Sequence, residues 1–162
     1  MVTIKNTSEL LKNAGSSLNR KARRFAIDSL NAALQAVDPE VIVKSKVKLE
    51  GNTLTIENLK FNLDKFLNVR DVGGGKASGC MAASLVELLG DRIKEGAVNV
   101  PYSCPSYETG RVTLQRASHP IPDESGVKGA SRMLDMVKNS KENDLVICLI
   151  SGGGSSLMPQ PR

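Results

Sequence analysis

The sequence predicts an α/β fold with a largely parallel sheet flanked by helices, and three observations support this. From Phe66 onwards, apolar stretches of strand length alternate with helical patterns, as in βαβ units. Two glycine-rich loops each follow a predicted strand, where such a sheet connects to its next helix. The most apolar strand, Leu145–Ile150, is expected at the centre of a sheet covered on both faces. The sheet is expected to be incomplete at the C-terminus, because no helical pattern follows the last glycine loop.

The N-terminal region shows a different pattern. Residues 1–19 are polar and predict a loose lead-in to a domain that covers residues 20–162. Apolar residues then recur at helical spacing up to Val37, and Pro39 predicts the end of this helix. Two short apolar runs on either side of Gly51-Asn52 predict a hairpin.

The elements of the alternating region follow from the places where apolar runs begin and end. Asp123 is expected to cap the second helix, because aspartate side chains accept N–H groups at helix starts. The predicted strands are 66–72, 97–100, 112–117 and 145–150, and the predicted helices are 78–89 and from Asp123 to about Val137.

Composition limits the class of protein. With 162 residues, of which 40% are hydrophobic and 24% charged, the chain has the balance of one globular domain. It has no apolar run near the ~20 residues that span a bilayer, and no apolar segment of a secretion signal follows Met1. We therefore expect a cytoplasmic domain without a membrane partner.

Charge and cysteine usage argue against two further classes. The first 48 residues carry nine Lys or Arg against four Asp or Glu, and they account for the whole net charge of +5. Aromatic residues make up only 3%, so the stacking surfaces of single-strand binders are missing and no nucleic-acid partner is expected. Cys80, Cys104 and Cys148 lack CxxC spacing, which disfavours a disulfide framework and a metal site. Cys80 and Cys148 fall in apolar segments and are expected to pack as small hydrophobic residues.

The two glycine loops are the strongest candidates for function. Gly73–Gly75 and Gly152–Gly154 each follow a strand, where backbone N–H groups can approach an anion without Cβ atoms in the way. Lys76 follows the first loop at a helix start, where a cation opposes the helix dipole unless a bound anion compensates. Neither loop matches the P-loop or the dinucleotide fingerprint, so a tight structural turn remains an alternative for each.

His119 is the only histidine, and it lies in a turn that contains two prolines. A hydrogen bond within the loop and a part in catalysis both remain open for it. No Ser-His-Asp arrangement and no cluster of metal ligands follows from the spacing of residues.

Four motifs together resemble the class II glycerate 2-kinases, the family with an MOFRL domain at its C-terminus. Their order and spacing agree over about residues 20–159, and the resemblance implies a Rossmann-like N-terminal domain. The motifs are Val72-Gly73-Gly74-Gly75-Lys76-Ala77 with Met81-Ala82, Leu89-Gly90-Asp91-Arg92-Ile93, His119-Pro120-Ile121-Pro122-Asp123-Glu124-Ser125-Gly126, and the segment from Asp144 to Ser156.

The resemblance also implies an activity and a site. The family uses ATP and Mg²⁺ to phosphorylate the 2-hydroxyl of D-glycerate, which gives 2-phosphoglycerate. Lys76 matches the lysine that contacts substrate and supports transfer, and His119 lies in a matching loop that we assign to substrate binding. The residues that match the loop near the phosphates are Gly152, Gly153, Gly154, Ser155 and Ser156. No metal ligand is assigned.

Length is where the chain departs from this family. Members are much longer and place the active site between two domains, so the resemblance implies that a C-terminal domain is missing. We expect the chain to be inactive alone, because positioning and charge stabilisation supply most of phosphoryl-transfer catalysis. Two alternatives remain. One is a hydroxypyruvate reductase, against which the broken dinucleotide fingerprint argues, and the other is a non-catalytic nucleotide- or anion-binding module.

Overall fold

The chain divides between Ile42 and Val43 into two units. This computed structural model describes residues 3–161. The helices are α1 (Thr7–Lys12), α2 (Ser17–Ala36), α3 (Pro39–Lys46), α4 (Ser78–Leu89), α5 (Glu124–Lys138) and α6 (Gly154–Leu157). The strands are β1 (Val47–Glu50), β2 (Thr53–Ile56), β3 (Leu59–Asn62), β4 (Asn68–Gly74), β5 (Ile93–Pro101), β6 (Val112–Ala117) and β7 (Asp144–Ile150).

Helices α1 and α2 form most of the N-terminal unit, and they correct the prediction of a loose lead-in over residues 1–19. Helix α2 begins inside that segment, where the Ser16 hydroxyl accepts the N–H of Asn19 at 3.1 Å and caps the helix. The guanidinium of Arg23 on α2 donates to the carbonyl of Leu10 on α1 at 2.8 Å. The prediction was wrong because it rested on polar composition alone. A contact between the two helices stabilises this polar segment, and composition does not reveal such a contact. The first two residues lie outside the described part of the chain.

Pro39 has a second role besides the predicted one. Helix α2 ends at Ala36, in agreement with the expected stop before Pro39. The proline is then the first residue of α3, where its missing N–H leaves no helical hydrogen bond unmade. Asp38 precedes it, and its carboxylate accepts the Glu40 N–H at 3.0 Å.

The predicted hairpin is confirmed and is part of a small antiparallel sheet. Strands β1 and β2 pair with Glu50 opposite Thr53, so Gly51-Asn52 forms the turn. Strand β3 adds a third strand, which the sequence analysis missed although Leu59 and Phe61 alternate with polar residues, because the run is only four residues long. Leu54 on the central strand β2 is fully buried and contributes to the main hydrophobic core.

The second sheet confirms the predicted α/β class. Its four strands run parallel in the order β6-β5-β4-β7, with helices on both faces. Buried residues of α4 pack with side chains from one face of this sheet, and two buried methionines of α5 pack against the other. The first face contains Val69, Val98, Val100, Ile147 and Leu149, and the second contains Val72 and Ala97.

The predicted element boundaries are correct where turn residues flank them. Helix α4 and strand β6 have the predicted ends, and the Asp123 side chain caps α5 by accepting the Gly126 N–H at 3.0 Å. Strand β5 is longer than predicted because Gly96 interrupts its apolar run without interrupting its pairing. A Cβ at Gly96 would lie 2.8 Å from the Asp71 carbonyl oxygen, so the close packing of β5 requires glycine there.

Strand β7 corrects the prediction that Leu145–Ile150 lies at the centre of the sheet. Among the described residues it pairs only with β4 and forms an edge. The Ile150 residue is 61% exposed, and Cys148 is also exposed, contrary to the expectation that it packs in the core. An apolar run reports how a strand can be covered but not its place in the strand order. None of the described helices combines the length and apolar composition needed to cross a membrane.

Candidate functional site

The two glycine loops meet at the carboxyl ends of β4 and β7, which are neighbouring parallel strands. The Lys76 N–H donates to the Gly152 carbonyl at 2.9 Å, and the Ser151 N–H donates to the Gly74 carbonyl at 3.3 Å. Ligands of open α/β sheets bind at this edge. The loops therefore form one candidate site, as their positions after two strands suggested.

The backbone N–H groups of the first loop are already used. The N–H of Gly75 donates to the Asn99 carbonyl at 3.1 Å, that of Lys76 to Gly152, and that of Ala77 to the Ser151 hydroxyl at 3.0 Å. This corrects the expectation that both loops present N–H groups to an anion, because a donor paired inside the fold is not available to a ligand.

Close packing explains the glycines of the first loop instead. A Cβ at Gly73 would overlap the Leu149 carbonyl, and a Cβ at Gly75 would overlap the Ser151 hydroxyl. Gly75 also has a φ of +148°, which L side chains rarely adopt. The first loop is thus a tight structural turn that places Lys76 against the second loop.

Two serines hold the loops together, namely Ser151, which begins the segment that resembles the phosphate loop, and Ser78, which was not assigned to the site. The Ser151 hydroxyl accepts the Ala77 N–H and lies 3.1 Å from the hydroxyl of buried Ser78, which donates to the Leu149 carbonyl at 3.0 Å. Ala77 is the N-cap residue of α4 and has no capping side chain, and its own N–H is the group that Ser151 accepts. The only sequence signal was their position beside the glycines, which is also typical of ordinary turns.

The second loop keeps free donors. In the described part of the chain, the Gly154 N–H closes a turn onto the Ser151 carbonyl at 3.2 Å. Gly153 has a φ of +92°, in the left-handed region that favours glycine. Four of the residues predicted to bind phosphate have N–H groups that donate no hydrogen bond in these turns. They are Gly152, Gly153, Ser155 and Ser156.

Lys76 and His119 both lie beside Gly153. A Cβ at Gly153 would be 2.8 Å from Cδ2 and Nε2 of His119 and 3.5 Å from Cγ of Lys76. His119 is half-buried and precedes a cis proline, whereas Lys76 is exposed. The structure therefore brings together the three predicted groups, namely the lysine, the histidine and the second glycine loop.

Asp123 has a structural role in the same region. The Gly126 N–H and then the Tyr102 hydroxyl, which donates to the second carboxylate oxygen at 2.8 Å, hold the pKa of Asp123 below its ordinary value. Both oxygens therefore accept hydrogen bonds, and the carboxylate caps α5. Across residues 3–161, no group of three His, Cys, Asp or Glu side chains fits a metal ion.

Asp71 on β4 is a buried carboxyl group that the sequence analysis did not single out. It is completely buried, and neither oxygen has a hydrogen-bond partner among the described residues. Burial raises the pKa of Asp71 to about 8, because a charged carboxylate loses its hydration there. One residue, Val72, separates it from the first glycine loop, within the strand that supports the site.

Residues 25–162 match the family described as a domain of unknown function, DUF4147. A D-glycerate 2-kinase of Thermotoga maritima is 34% identical over 139 residues, which cover 86% of this chain and 30% of that protein. A putative hydroxypyruvate reductase of Agrobacterium vitis is 43% identical over 90 residues, which cover 56% of this chain and 23% of that protein.

A solved structure supports the same relationship. The crystal structure of a glycerate kinase from Thermotoga maritima matches with a TM-score of 0.69 and 31% identity, over 88% of this chain and 31% of that chain. The chain spans about 30% of the length of the curated glycerate kinases that it matches.

Proposed function

Because this chain belongs to the DUF4147 family, the N-terminal domain of glycerate 2-kinases, we propose that it forms the N-terminal part of such an enzyme. The proposed reaction transfers the γ-phosphoryl group of ATP to the 2-hydroxyl of D-glycerate and gives 2-phosphoglycerate and ADP. The observation that carries the proposal is the meeting of Lys76, His119 and the free N–H groups of the second glycine loop around Gly153.

Each group has a distinct task in this proposal. The free N–H groups of Gly152, Gly153, Ser155 and Ser156 supply hydrogen-bond donors for phosphate oxygens. The ammonium group of Lys76 supplies positive charge, either to the transferring phosphoryl group or to the carboxylate of D-glycerate. His119 provides a second contact to substrate. The oxygen–phosphorus bond to glycerate forms as the bond to ADP breaks, and the hydroxyl proton is released.

Magnesium is expected to accompany ATP, but among the described residues no three His, Cys, Asp or Glu side chains come together in a group that could hold a metal ion. We therefore assign no magnesium ligand and no step to this part of the chain. A C-terminal domain remains the proposed partner, and we propose that the chain binds substrate but does not turn it over alone.

Binding to the chain itself tests the proposal. Titration of the ¹⁵N-labelled protein with ATP is expected to shift the amide resonances of Gly152, Gly153 and Ser155, and D-glycerate is expected to shift those near His119. Lys76→Met is expected to weaken both effects, whereas Lys94→Met, at another exposed lysine on β5, is not. Unchanged resonances at saturating ATP and D-glycerate would overturn the proposal.

The two alternatives predict different results. The name of the Agrobacterium relative favours a reductase, which would bind NADH and oxidise it with hydroxypyruvate. A non-catalytic nucleotide-binding module would bind ATP but not D-glycerate. A titration with NADH, run beside those with ATP and D-glycerate, therefore separates all three functions by binding alone.

A further inference from the structure

Asn99 joins two segments that surround the candidate site. It lies on β5, and its side chain is fully buried. Its Nδ2 group donates to the Gly126 carbonyl at 3.0 Å and to the Leu157 carbonyl at 2.7 Å. Gly126 belongs to the first turn of α5, and Leu157 ends α6 after the second glycine loop. One carboxamide therefore connects the start of α5 to the end of that loop.

The backbone of Asn99 extends this connection to the first loop. Its carbonyl accepts the N–H of Gly75, the residue that precedes Lys76. Two more hydrogen bonds connect the partners of Asn99 to the second glycine loop and to the turn that contains His119. The Leu157 N–H donates to the Gly153 carbonyl at 3.1 Å, and the Gly126 N–H is capped by Asp123 of the His119 turn. All three groups that meet at Gly153 are thus linked to Asn99.

Gly129 of α5 provides the space for the carboxamide. A Cβ at Gly129 would lie 2.6 Å from Cγ and Nδ2 of Asn99 and would overlap Oδ1. Oδ1 has no hydrogen-bond partner among the described residues, which carries an energetic cost in a buried place. An apolar side chain at this position would pack against α5 without that cost. What asparagine contributes instead is the pair of hydrogen bonds from Nδ2.

We propose that Asn99 is a positioning residue that sets the distance between the second glycine loop and the start of α5. In doing so it holds the free N–H groups of the second glycine loop and of Ser155 and Ser156 beside Lys76 and His119. The part of this inference that concerns ligand binding rests on the proposed function.

Two measurements, amide hydrogen exchange and ATP affinity, test the positioning role of Asn99. The N–H groups of Val127, Leu157 and Met158 are hydrogen-bonded on the two segments that Asn99 joins, and they report local opening. In Asn99→Ala we expect these amides to exchange about tenfold faster than the loss of global stability explains, with a similar loss of ATP affinity. Ile93→Ala is the reference, because Ile93 is buried at the opposite end of the same strand.

Gly129→Ala gives a second and independent variant. It retains Asn99 but displaces the carboxamide, although alanine by itself favours a helix. We expect the same amides to lose protection, and this variant decides the question if Asn99→Ala does not fold. The proposal is overturned if exchange at these amides follows global stability as in Ile93→Ala. If the parent chain binds no ATP, the proposed function fails, while the exchange data still decide the role of Asn99.

Discussion

The hydroxyl of Ser151 occupies the space that a side chain at Gly75 would enter. The same hydroxyl accepts the N–H of Ala77 at the start of α4. Ser151, just before the second glycine loop, therefore limits which residue the first loop can hold at position 75, although the two residues belong to different strand-to-helix connections. This relationship explains why a residue without a side chain is needed just before Lys76.

Gly75→Ala tests this fit. The added methyl group must displace Ser151 and must also adopt an unfavourable backbone angle, so we expect a loss of about 2–4 kcal/mol in the free energy of unfolding. Urea denaturation measures the change. Gly15→Ala is the matched control, because a Cβ there meets nothing within 4 Å, and its stability should stay equal or rise by up to about 1 kcal/mol. Equal effects of the two substitutions would contradict the packing argument.

Lys76→Met should have opposite effects on stability and binding. The exposed lysine lies at the N-terminal end of α4, where its charge opposes the helix dipole. Removal of that charge is expected to raise the free energy of unfolding by about 0.3–1 kcal/mol at low salt. ATP affinity, measured by calorimetry, is expected to fall because a positive charge beside the phosphates is lost. Lys94→Met should leave ATP affinity unchanged, and a loss of stability in Lys76→Met would show that the lysine is structural.

Asp71 should make the protein less stable as the pH rises. Its pKa is about 8 in the folded state and near the ordinary value of 3.8 in the unfolded chain, so the unfolded state releases its proton first. Stability from this group is fully present below about pH 4 and is lost as the pH rises towards 8. Asp71→Asn should remove this pH dependence. The variant's free energy of unfolding, relative to that of the parent, should therefore be higher at pH 8.5 than at pH 5.

Thermal unfolding of both proteins across this pH range measures the effect. Asp135→Asn, at an exposed carboxylate on α5, is the control and should preserve the parent's pH dependence. A constant difference between Asp71→Asn and the parent at all pH values would mean that Asp71 is charged when folded. Asp144 has the opposite effect on the pH dependence of stability. The Lys141 N–H, Asn68 and Arg70 lower its pKa, so the stability that its carboxylate contributes is lost only as the pH falls.

Arg70 forms a clamp at the end of the sheet away from the glycine loops. Its guanidinium donates to Glu95 at 2.9 Å, to the Ser140 hydroxyl at 2.8 Å and to the carboxylate of Asp144, whose side chain has no exposed surface. Arg70→Met leaves that buried carboxylate without its cation, and the thermal midpoint should fall by about 5 °C or more.

The exposed ion pair between Arg111 and Asp91 provides the comparison for this clamp. Its nitrogen and oxygen atoms are 3.3 Å apart, and the Asp91 side chain is almost fully exposed. Arg111→Met should lower the thermal midpoint far less, because surface ion pairs contribute at most about 1 kcal/mol. Similar losses in the two variants would show that the burial of Asp144 does not matter to stability.

The sequence by itself determined the α/β class, the ends of α4 and β6, the Asp123 cap and the candidate residues Lys76, His119 and 152–156. These features depend on local rules, since periodicity, turn residues and capping side chains act over a few neighbouring positions. The resemblance to glycerate 2-kinases could also be identified from the sequence, because it rests on short motifs in a certain order.

Only the tertiary structure decided which loop keeps free N–H donors, why Gly75 and Gly129 have no side chain, and what Asn99 joins. It also showed that β7 is at the edge of the sheet formed by the described strands and that a helix forms in the polar N-terminal segment. The reason is physical. The Ala77 N–H finds its acceptor on Ser151, 74 residues away, and a hydrogen bond between such distant positions leaves no periodic trace in either segment.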